Sequence, residues 1–544
     1  MARRFAIAAL VAFCVSVALR AQAPASYRLA FPDREHRMMT VEATFTDVPA
    51  GPLQLRMSRS SPGRYALHEF AKNVLDVRAT DADGRPLTIA HPNPHQWDVS
   101  GHSGEVRVSY RVFGDWVDGT YLAIDNTHAH INMPAAIMWA RGFDARPISV
   151  RFEPPPGASW RVATQLLPGR DSLTFTAPNL QYLMDSPAEF SAFSLRTFTV
   201  SDQGRTPVFR VVAHHGGTDA DLDALVRDID TIVRETRYVF GEFPAFDANA
   251  YTFITDHLPG NDRDAMEHRN STVITSPRPI AADRLGLLGS VSHEFCHAWN
   301  VERIRPASLE PFNFDDVNMS GELWLAEGFC NYYGALVLRR SGLVSVREYA
   351  RDIGSAIATV MTAPGRKVRS AIEMSQMAPF VDGAKFEDRT GFPDTYVSYY
   401  TWGEALGAGL DLTLRDRSDG RITLDDYMRA LWDKFGRSAS PRLGYVESPY
   451  TVADLKATLA QVSGDAAFAS QFFARYIEGH DVVDYAHLLS RAGLLLRQRQ
   501  GSLGKSGQEP GLEVVLVEEA GQTVTDAQRR FRDAWLSSSA RNTF

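Results

Sequence analysis

The segment HEFCH, residues 293 to 297, places two histidines four positions apart with a glutamate directly after the first. On a helix, His293 and His297 lie one turn apart on one face, so both imidazoles can reach one metal ion. Glu294 lies on the adjacent flank, where its carboxylate can accept a proton from water. A zinc ion with three protein ligands keeps one position open for water and lowers the pKa of that water to about 7. The pattern therefore predicts a zinc site suited to hydrolysis.

A third metal ligand has to come from another part of the chain. Glu327, in GELWLAEGFCNYY, begins a second helical run that continues with an apolar, aromatic face. Asp315, Asp316 and Glu322 are competing carboxylates in the same region. We favour Glu327, because a ligand on a helix is held more firmly than a ligand in a loop.

Cysteine is scarce in this chain, which has three in all. Cys14 lies in the N-terminal segment, whereas Cys296 and Cys330 flank the proposed metal ligands. We predict two buried free thiols at these two positions. One disulfide between neighbouring helices is the alternative, and a larger disulfide framework is excluded.

Two kinds of pattern surround these residues. From Tyr27 to about Val200, short runs with period-2 alternation are separated by turn residues, which predicts an antiparallel β-sandwich. Beyond Val200, the strand FRVVAHH precedes a helix capped by Thr218 or Asp219, and the strand AYTFITDHL precedes a helix from about Ala282 to Asn300. This order is typical of a small α/β core.

We therefore predict a multidomain α+β protein. Its expected parts are a signal peptide (1–25), an N-terminal β domain (26–200), an α/β core with the histidine motif (201–345), a helical domain that completes the site (346–485) and a short C-terminal tail (486–544). Within the tail, VTDAQRRFRDAWL predicts one terminal helix.

The first 25 residues have the features of a secretory signal: Arg3 and Arg4 before an apolar run from Phe5 to Leu19, and small residues near a cleavage site for which we favour Ala25. The apolar run is shorter than the roughly 20 residues that span a bilayer. We expect a periplasmic or secreted protein without a stable membrane span after cleavage.

Charge and composition exclude other classes of protein. The chain has 544 residues, 44% of them hydrophobic, which is typical of globular proteins. Its formal net charge is -8, and removal of the predicted signal makes it more negative. A nucleic-acid partner is not expected, because phosphate binding requires a basic surface.

The segments HEFCHAWNVERIRP and ELWLAEGFCNYY resemble the glycyl aminopeptidase family of zinc peptidases, whose catalytic domain is thermolysin-like. SSPGRYALHEFAKNV (60–74), MEHRNST (266–272) and YYTWGEALGAGLDLTLR (399–415) are similar to further segments of that family. The resemblance covers residues 27–485. It implies one Zn²⁺ ion per chain held by His293, His297 and Glu327, with Glu294 as general base and proton shuttle.

The resemblance also implies residues that bind substrate. Tyr400 matches a tyrosine that donates a hydrogen bond to the oxyanion in related aminopeptidases, and Glu267 matches a glutamate that pairs with the free α-amino group of the substrate. His268 either contacts substrate or bonds to a loop. Asn331 either orients a zinc ligand or is a solvated helix residue.

Two departures from the family pattern concern specificity and domain content. Asp264 and Ala265 replace a Gly-Gly pair, which puts the preference for N-terminal glycine in question. The C-terminal PDZ domain that is usual in the family is absent or reduced to a remnant in 486–544.

Four other histidines are interpreted as structural. His128 and His130 share a strand face but have no carboxylate or cysteine at metal-binding spacing nearby in the sequence, and His214 and His215 receive the same interpretation.

The sequence thus predicts a zinc metallo-aminopeptidase that removes small N-terminal residues, glycine or alanine, from peptides with a free N-terminus. The alternatives are a zinc endopeptidase or other amide hydrolase, and an envelope peptide-binding protein with a vestigial site.

Overall fold

The computed structural model describes residues 23–381, 392–499 and 511–538. Most of the predicted signal peptide, with Cys14, lies outside these residues. The first strand begins at Ala25, whose side chain is buried. Within the described residues, no helix is both long and apolar enough to cross a membrane.

The N-terminal β domain contains fifteen of the described strands and two short helices. They are β1 (Ala25–Asp33), β2 (Met38–Phe45), β3 (Leu53–Met57), β4 (Val74–Thr80), β5 (Thr88–Asn93), β6 (Gln96–Ser100), β7 (Val106–Phe113), β8 (Leu122–Ile124), β9 (His128–Ile131), α1 (Met133–Ala136), β10 (Met138–Ala140), β11 (Ile148–Glu153), β12 (Arg161–Thr164), β13 (Leu167–Pro168), β14 (Thr174–Ala177), α2 (Leu180–Met184) and β15 (Ala188–Ser191).

These strands form three sheets, in the orders β13-β14-β11-β1-β2-β7-β4, β10-β3-β6-β5 and β12-β15-β9-β8. Alternating residues face a shared core, as Val106, Val108, Tyr110 and Val112 of β7 do. The predicted antiparallel pairing is correct except at β1 and β11, which are parallel. The chain between them is long enough for the crossover that a parallel pair requires.

The central region is built on a five-stranded sheet with the order β16-β17-β18-β20-β19. Its strands are β16 (Ser194–Thr199), β17 (Val208–His215), β18 (Ala250–His257), β19 (Asp264–His268) and β20 (Ser271–Ser276). Strands β17, β18 and β20 are parallel, and β16 and β19 are antiparallel to their neighbours. Strand β16, which lies inside the predicted β domain (26–200), pairs along its whole length with β17 of this central sheet.

The remaining elements are helices and one hairpin. They are α3 (Asp219–Phe240), α4 (Ile280–Cys296), α5 (Leu323–Ala326), α6 (Gly328–Arg340), α7 (Val346–Thr362), α8 (Ala371–Gln376), α9 (Ala378–Val381), α10 (Phe392–Thr395), α11 (Tyr399–Ser418), α12 (Leu424–Leu431), α13 (Val452–Ser463), α14 (Ala466–Phe472), α15 (Tyr485–Arg491), β21 (Leu494–Gln498), β22 (Leu512–Leu516) and α16 (Asp526–Leu536).

Local signals set the ends of two helices. Thr218 caps α3 through a capping box with Asp221, as the sequence predicts. Helix α4 begins at Ile280 and ends at Cys296, so His297 is its C-cap and not an interior residue. The two histidines still lie one turn apart, because His297 keeps helical backbone angles.

One hydrophobic core continues from the five-stranded sheet through the helices to α16. Trp535 of α16 is fully buried and donates a hydrogen bond to the Tyr332 hydroxyl. The terminal helix is therefore confirmed, but the described part of 486–544 packs into this core rather than forming a loose tail.

Candidate metal centre

Three side chains converge where the last turn of α4 meets the junction of α5 and α6. The Nε2 atoms of His293 and His297 are 3.0 Å apart. Glu327 Oε2 lies 3.6 Å from His293 Nε2 and 3.3 Å from His297 Nε2. The three predicted ligand atoms thus surround one point, whereas the competing carboxylates have other partners: Asp315 pairs with Arg56, and Glu322 accepts from Ser320.

Asn300 fixes the orientation of His297. The Nδ1–H of His297 donates to the Asn300 carbonyl at 2.9 Å, which leaves Nε2 as the atom with a free lone pair. The Asn300 side chain donates to the carbonyls of Leu325 and Ala326, both at 3.0 Å, directly before Glu327. One side chain therefore ties the two ligand-bearing segments together, a role that the sequence analysis did not assign.

Tyr65 of the N-terminal β domain completes the site. Its hydroxyl donates to Glu327 Oε1 at 2.5 Å, so Oε2 is the oxygen that faces the two imidazoles. Tyr65 is fully buried. It lies in the segment 60–74 that carried part of the family resemblance, but nothing in its local sequence indicates which residue it contacts.

Two more carboxylates lie beside the three ligands. Glu267, Glu294 and His297 each offer one atom that can bind a metal, and these three atoms lie within 4.8 Å of one another. Glu294 Oε2 is buried and accepts no hydrogen bond from the described residues. Glu267 is contributed by the edge strand β19, and the backbone of Gly63 lies so close that an added Cβ would be 2.9 Å from its Oε2.

The electrostatics of this group favour a cation. Burial raises the pKa of Glu267 well above its usual value, and Glu327 and Glu294 raise it further. Burial also raises the pKa of Glu294. Burial alone would lower the pKa of His297, but the attraction of Glu327 and Glu267 outweighs it and raises that pKa to about 10. Positive charge is therefore stabilised at the point where the three ligand atoms meet.

Tyr400 reaches the site because α11 approaches α5 and α6 unusually closely. The Tyr400 ring lies 6.2 Å from the His293 ring. One turn later, a Cβ added to Gly403 would lie 1.9 Å from the Trp324 carbonyl oxygen and 2.7 Å from the Cα of Gly328. Only glycine fits this contact, which explains physically why a Tyr-x-x-Gly spacing accompanies the histidine motif.

Cys296 and Cys330 form a disulfide, with their Cα atoms 5.6 Å apart. The prediction of two free thiols was therefore wrong. The bond joins the last residue of α4 to the first turn of α6, next to His297 and three residues after Glu327. Residues 34 apart in sequence gave no local indication of this pairing.

The other predicted residues have different surroundings. His268 is fully buried, and its Nδ1 lies 2.9 Å from Asp185 Oδ1. Asn331 is half-buried, and among the described residues only its backbone bonds to Glu327. Asp264 pairs with Arg64 and accepts from the Gly119 N–H at 2.9 Å, so its charge is compensated by the β domain.

The residues present fit a zinc ion. Zinc prefers imidazole nitrogen and carboxylate oxygen at about 2.0–2.2 Å, and ligand atoms on such a tetrahedron are about 3.3 Å apart. The three observed separations are close to that value. The tautomer of His297 and the bond from Tyr65 both leave the correct atoms free to bind the metal.

Comparisons with known proteins agree with this geometry. The family model for the peptidase M61 N-terminal domain matches residues 26–192, and the model for the M61 glycyl aminopeptidase matches residues 286–406. The search of curated proteins found no match.

Solved structures with a similar fold include an aminopeptidase N family protein from Idiomarina loihiensis, which is 23% identical to this chain. Its TM-score is 0.76, and the alignment covers 89% of this chain and 82% of that protein. An M1 zinc metallopeptidase from Deinococcus radiodurans, in a variant bound to a Tyr-Ser-Ala substrate, is 16% identical with a TM-score of 0.50, over 85% of this chain and 94% of its own. The chain has the fold of these proteins, and with two family matches in the expected order it belongs to the M61 glycyl aminopeptidase family of metallopeptidases.

Proposed function

We propose that this metallo-aminopeptidase uses one Zn²⁺ ion, held by His293, His297 and Glu327, to hydrolyse the first peptide bond of substrates with a small N-terminal residue. When bound, the ion polarises the scissile carbonyl and lowers the pKa of a coordinated water. Glu294 accepts a proton from the attacking water and passes it to the leaving amine. Tyr400 donates a hydrogen bond to the oxyanion of the tetrahedral intermediate.

The observation that carries this proposal is the grouping of Glu267, Glu294 and Glu327 with two imidazoles. When all three carboxyl groups are ionised and both histidines are neutral, the group has three negative charges. A divalent ion balances two of them, and the α-ammonium group of a substrate balances the third. Binding that ammonium at Glu267 sets the distance from the N-terminus to the metal, which restricts cleavage to the first peptide bond.

The closeness of Gly63 supports a preference for glycine or alanine. Its backbone packs against Glu267 and Met266. We infer that this contact limits the space for the first side chain of a substrate on the side of the β domain. Asp264 does not add a net charge there, because Arg64 pairs with it.

An exported location is supported by two features. Residues 1–25 have the composition of a secretory signal. The disulfide between Cys296 and Cys330 is of a kind that persists in oxidising compartments such as the periplasm.

The test compares alanyl and glycyl aryl-amides with their N-acetylated forms, using wild type and Glu267→Gln. We expect stoichiometric zinc, turnover of the free amines only, and a raised KM in the variant. Glu302→Gln is a matched control, because Glu302 is a buried carboxylate nearby that already pairs with Arg305 at 2.9 Å. Equal cleavage of acetylated substrates would indicate an endopeptidase, and zinc-free, inactive protein would indicate a vestigial site.

A further inference from the structure

A second group of metal-binding side chains lies at the junction of the β domain and the five-stranded sheet. It consists of His128 on β9, Glu189 on β15, His214 on β17 and Asp256 on β18, with one ligand atom from each within 4.8 Å of the others. We call these four residues the junction cluster. Strand register brings them together, since His214 is directly opposite Asp256, and Glu189 is opposite His130, two residues from His128. The sequence analysis interpreted His128 and His214 as structural because no carboxylate lies at metal-binding spacing nearby in the sequence, but the fold brings Glu189 and Asp256 to them from other strands.

The spacing in the junction cluster is that of a tetrahedral metal site. His128 Nδ1 lies 3.1 Å from Asp256 Oδ2 and 3.4 Å from Glu189 Oε1. His214 Nδ1 lies 3.3 Å from Asp256 Oδ2 and 4.0 Å from Glu189 Oε1. The corresponding separations at the His293, His297 and Glu327 site run from 3.0 to 3.6 Å. The separations of 3.1, 3.3 and 3.4 Å in the junction cluster are close to the edge of about 3.3 Å expected for zinc with nitrogen and oxygen ligands, and the separation of 4.0 Å is longer.

Hydrogen bonds satisfy only part of this group, since Asp256 is bonded to His214 and Asn261. Both oxygens of Glu189, which is 1% exposed, and Nδ1 of His128, which is 2% exposed, have no hydrogen-bond partner among the described residues. Leaving a buried carboxylate without partners is costly unless a cation binds it. No lysine or arginine in the described part of the chain forms an ion pair with Glu189 or Asp256.

Residues next to the junction cluster orient its side chains but add no ligand atom to it. Asn261 donates to Asp256 Oδ1 at 2.9 Å, which directs Oδ2 toward the two histidines. The Nε2–H of His130 donates to the Asp118 carbonyl at 2.7 Å. Nδ1 of His130 lies 3.8 Å from Glu189 Oε2, which is too far for a hydrogen bond.

We propose that the junction cluster binds a second divalent transition-metal ion, of which Zn²⁺ best fits two imidazoles and two carboxylates. Two neutral imidazoles and two carboxylates carry a charge of -2, which the ion neutralises. Four protein ligands close the coordination sphere, so the ion is structural and not catalytic. It joins two strands of the β domain to two strands of the central sheet, and His214, whose side chain is 14% exposed, provides the route of entry.

The test counts metal ions per chain after saturation with Zn²⁺ and removal of the excess. We expect two in the wild type, one in His128→Asn/His214→Gln, and one in His293→Gln/His297→Gln. His257→Gln is the control, because His257 is a buried histidine next to Asp256 that is not part of the cluster, and it should keep two.

A second measurement does not depend on the folding of the cluster variant or on the proposed function. In the His293→Gln/His297→Gln background, added Zn²⁺ should raise the thermal midpoint and added Co²⁺ should give a visible absorption band, whereas Mg²⁺ and Ca²⁺ should do neither. The proposal would be overturned if the wild type bound one ion and the His293→Gln/His297→Gln variant bound none. That result would show that the cluster is an ion-pair network of protonated histidines.

Discussion

The hydroxyl of Tyr65 donates a hydrogen bond to Glu327 across 262 positions of sequence. The donor belongs to the N-terminal β domain, and the acceptor is the carboxylate that we propose as the third metal ligand. The β domain therefore contacts the proposed metal centre directly, and its residues Pro62, Gly63 and Tyr65 line a pocket together with Glu267.

Removing this hydroxyl should weaken the metal site while leaving the fold intact. Tyr65→Phe frees Glu327 Oε1, so we expect zinc affinity to fall by about 10–100-fold, which is the usual effect of losing a partner of a metal ligand. Chelator competition measures that affinity. Tyr27→Phe is the matched control, because it also loses a buried hydrogen bond, to the Met138 carbonyl, but far from the metal. Equal zinc affinity in the two variants would contradict this role.

Glu294→Gln separates metal binding from proton transfer. The amide cannot accept the proton of the attacking water, so we expect turnover to fall by about 10²–10⁴-fold at unchanged zinc content. Metal analysis and aryl-amide kinetics on one preparation measure both quantities. Loss of zinc would instead make Glu294 a ligand, and an unchanged rate would remove it from the mechanism.

Because Gly403 is so closely packed, its substitution should reduce the stability of the protein. The methyl group of Gly403→Ala would overlap the Trp324 carbonyl, so α11 must move away and take Tyr400 with it. We expect a loss of about 1–3 kcal/mol in the free energy of unfolding, together with a large loss of turnover. Gly289→Ala, on α4, meets no atom within 4 Å and should be neutral or stabilising by up to about 1 kcal/mol. Denaturant unfolding of both variants checks this contrast, which similar losses in the two would refute.

His68 should make the protein less stable in acid. Burial, followed by the charges of Arg64 and Lys72, lowers its pKa to about 4. Below the unfolded-state pKa of about 6.5, the unfolded chain binds a proton that the folded chain does not, so stability is lost as the pH falls from 6.5 toward 4. The slope from this group is up to about 1.4 kcal/mol per pH unit. His68→Gln should reduce the slope by that amount in denaturant unfolding, and an unchanged slope would assign the acid sensitivity to other groups.

Local patterns were sufficient to predict the histidine motif, the cap of α3 and the strands around it. Each depends on residues a few positions apart, where helical or strand geometry fixes the spacing. The contacts that the sequence analysis missed, or kept only as an alternative, join distant segments. The Tyr65 bond and the junction cluster depend on how two sheets pack and in which register, and the Cys296–Cys330 bond depends on how two helices pack.

The burial of Trp535 affects how the protein can be shortened or labelled. The sequence analysis placed the last domain boundary at residue 485. A fragment that ends there would lose the Trp535 indole, which packs against Tyr349. It would also lose the two backbone carbonyls that accept hydrogen bonds from Arg340 and Arg415. Such a fragment would remove one hydrogen-bond acceptor from each of these two buried arginines, which keep their ion pairs with Asp425 and Asp411, and it would leave an apolar surface open to aggregation. Affinity tags and truncations are therefore better placed after residue 538 than before α16.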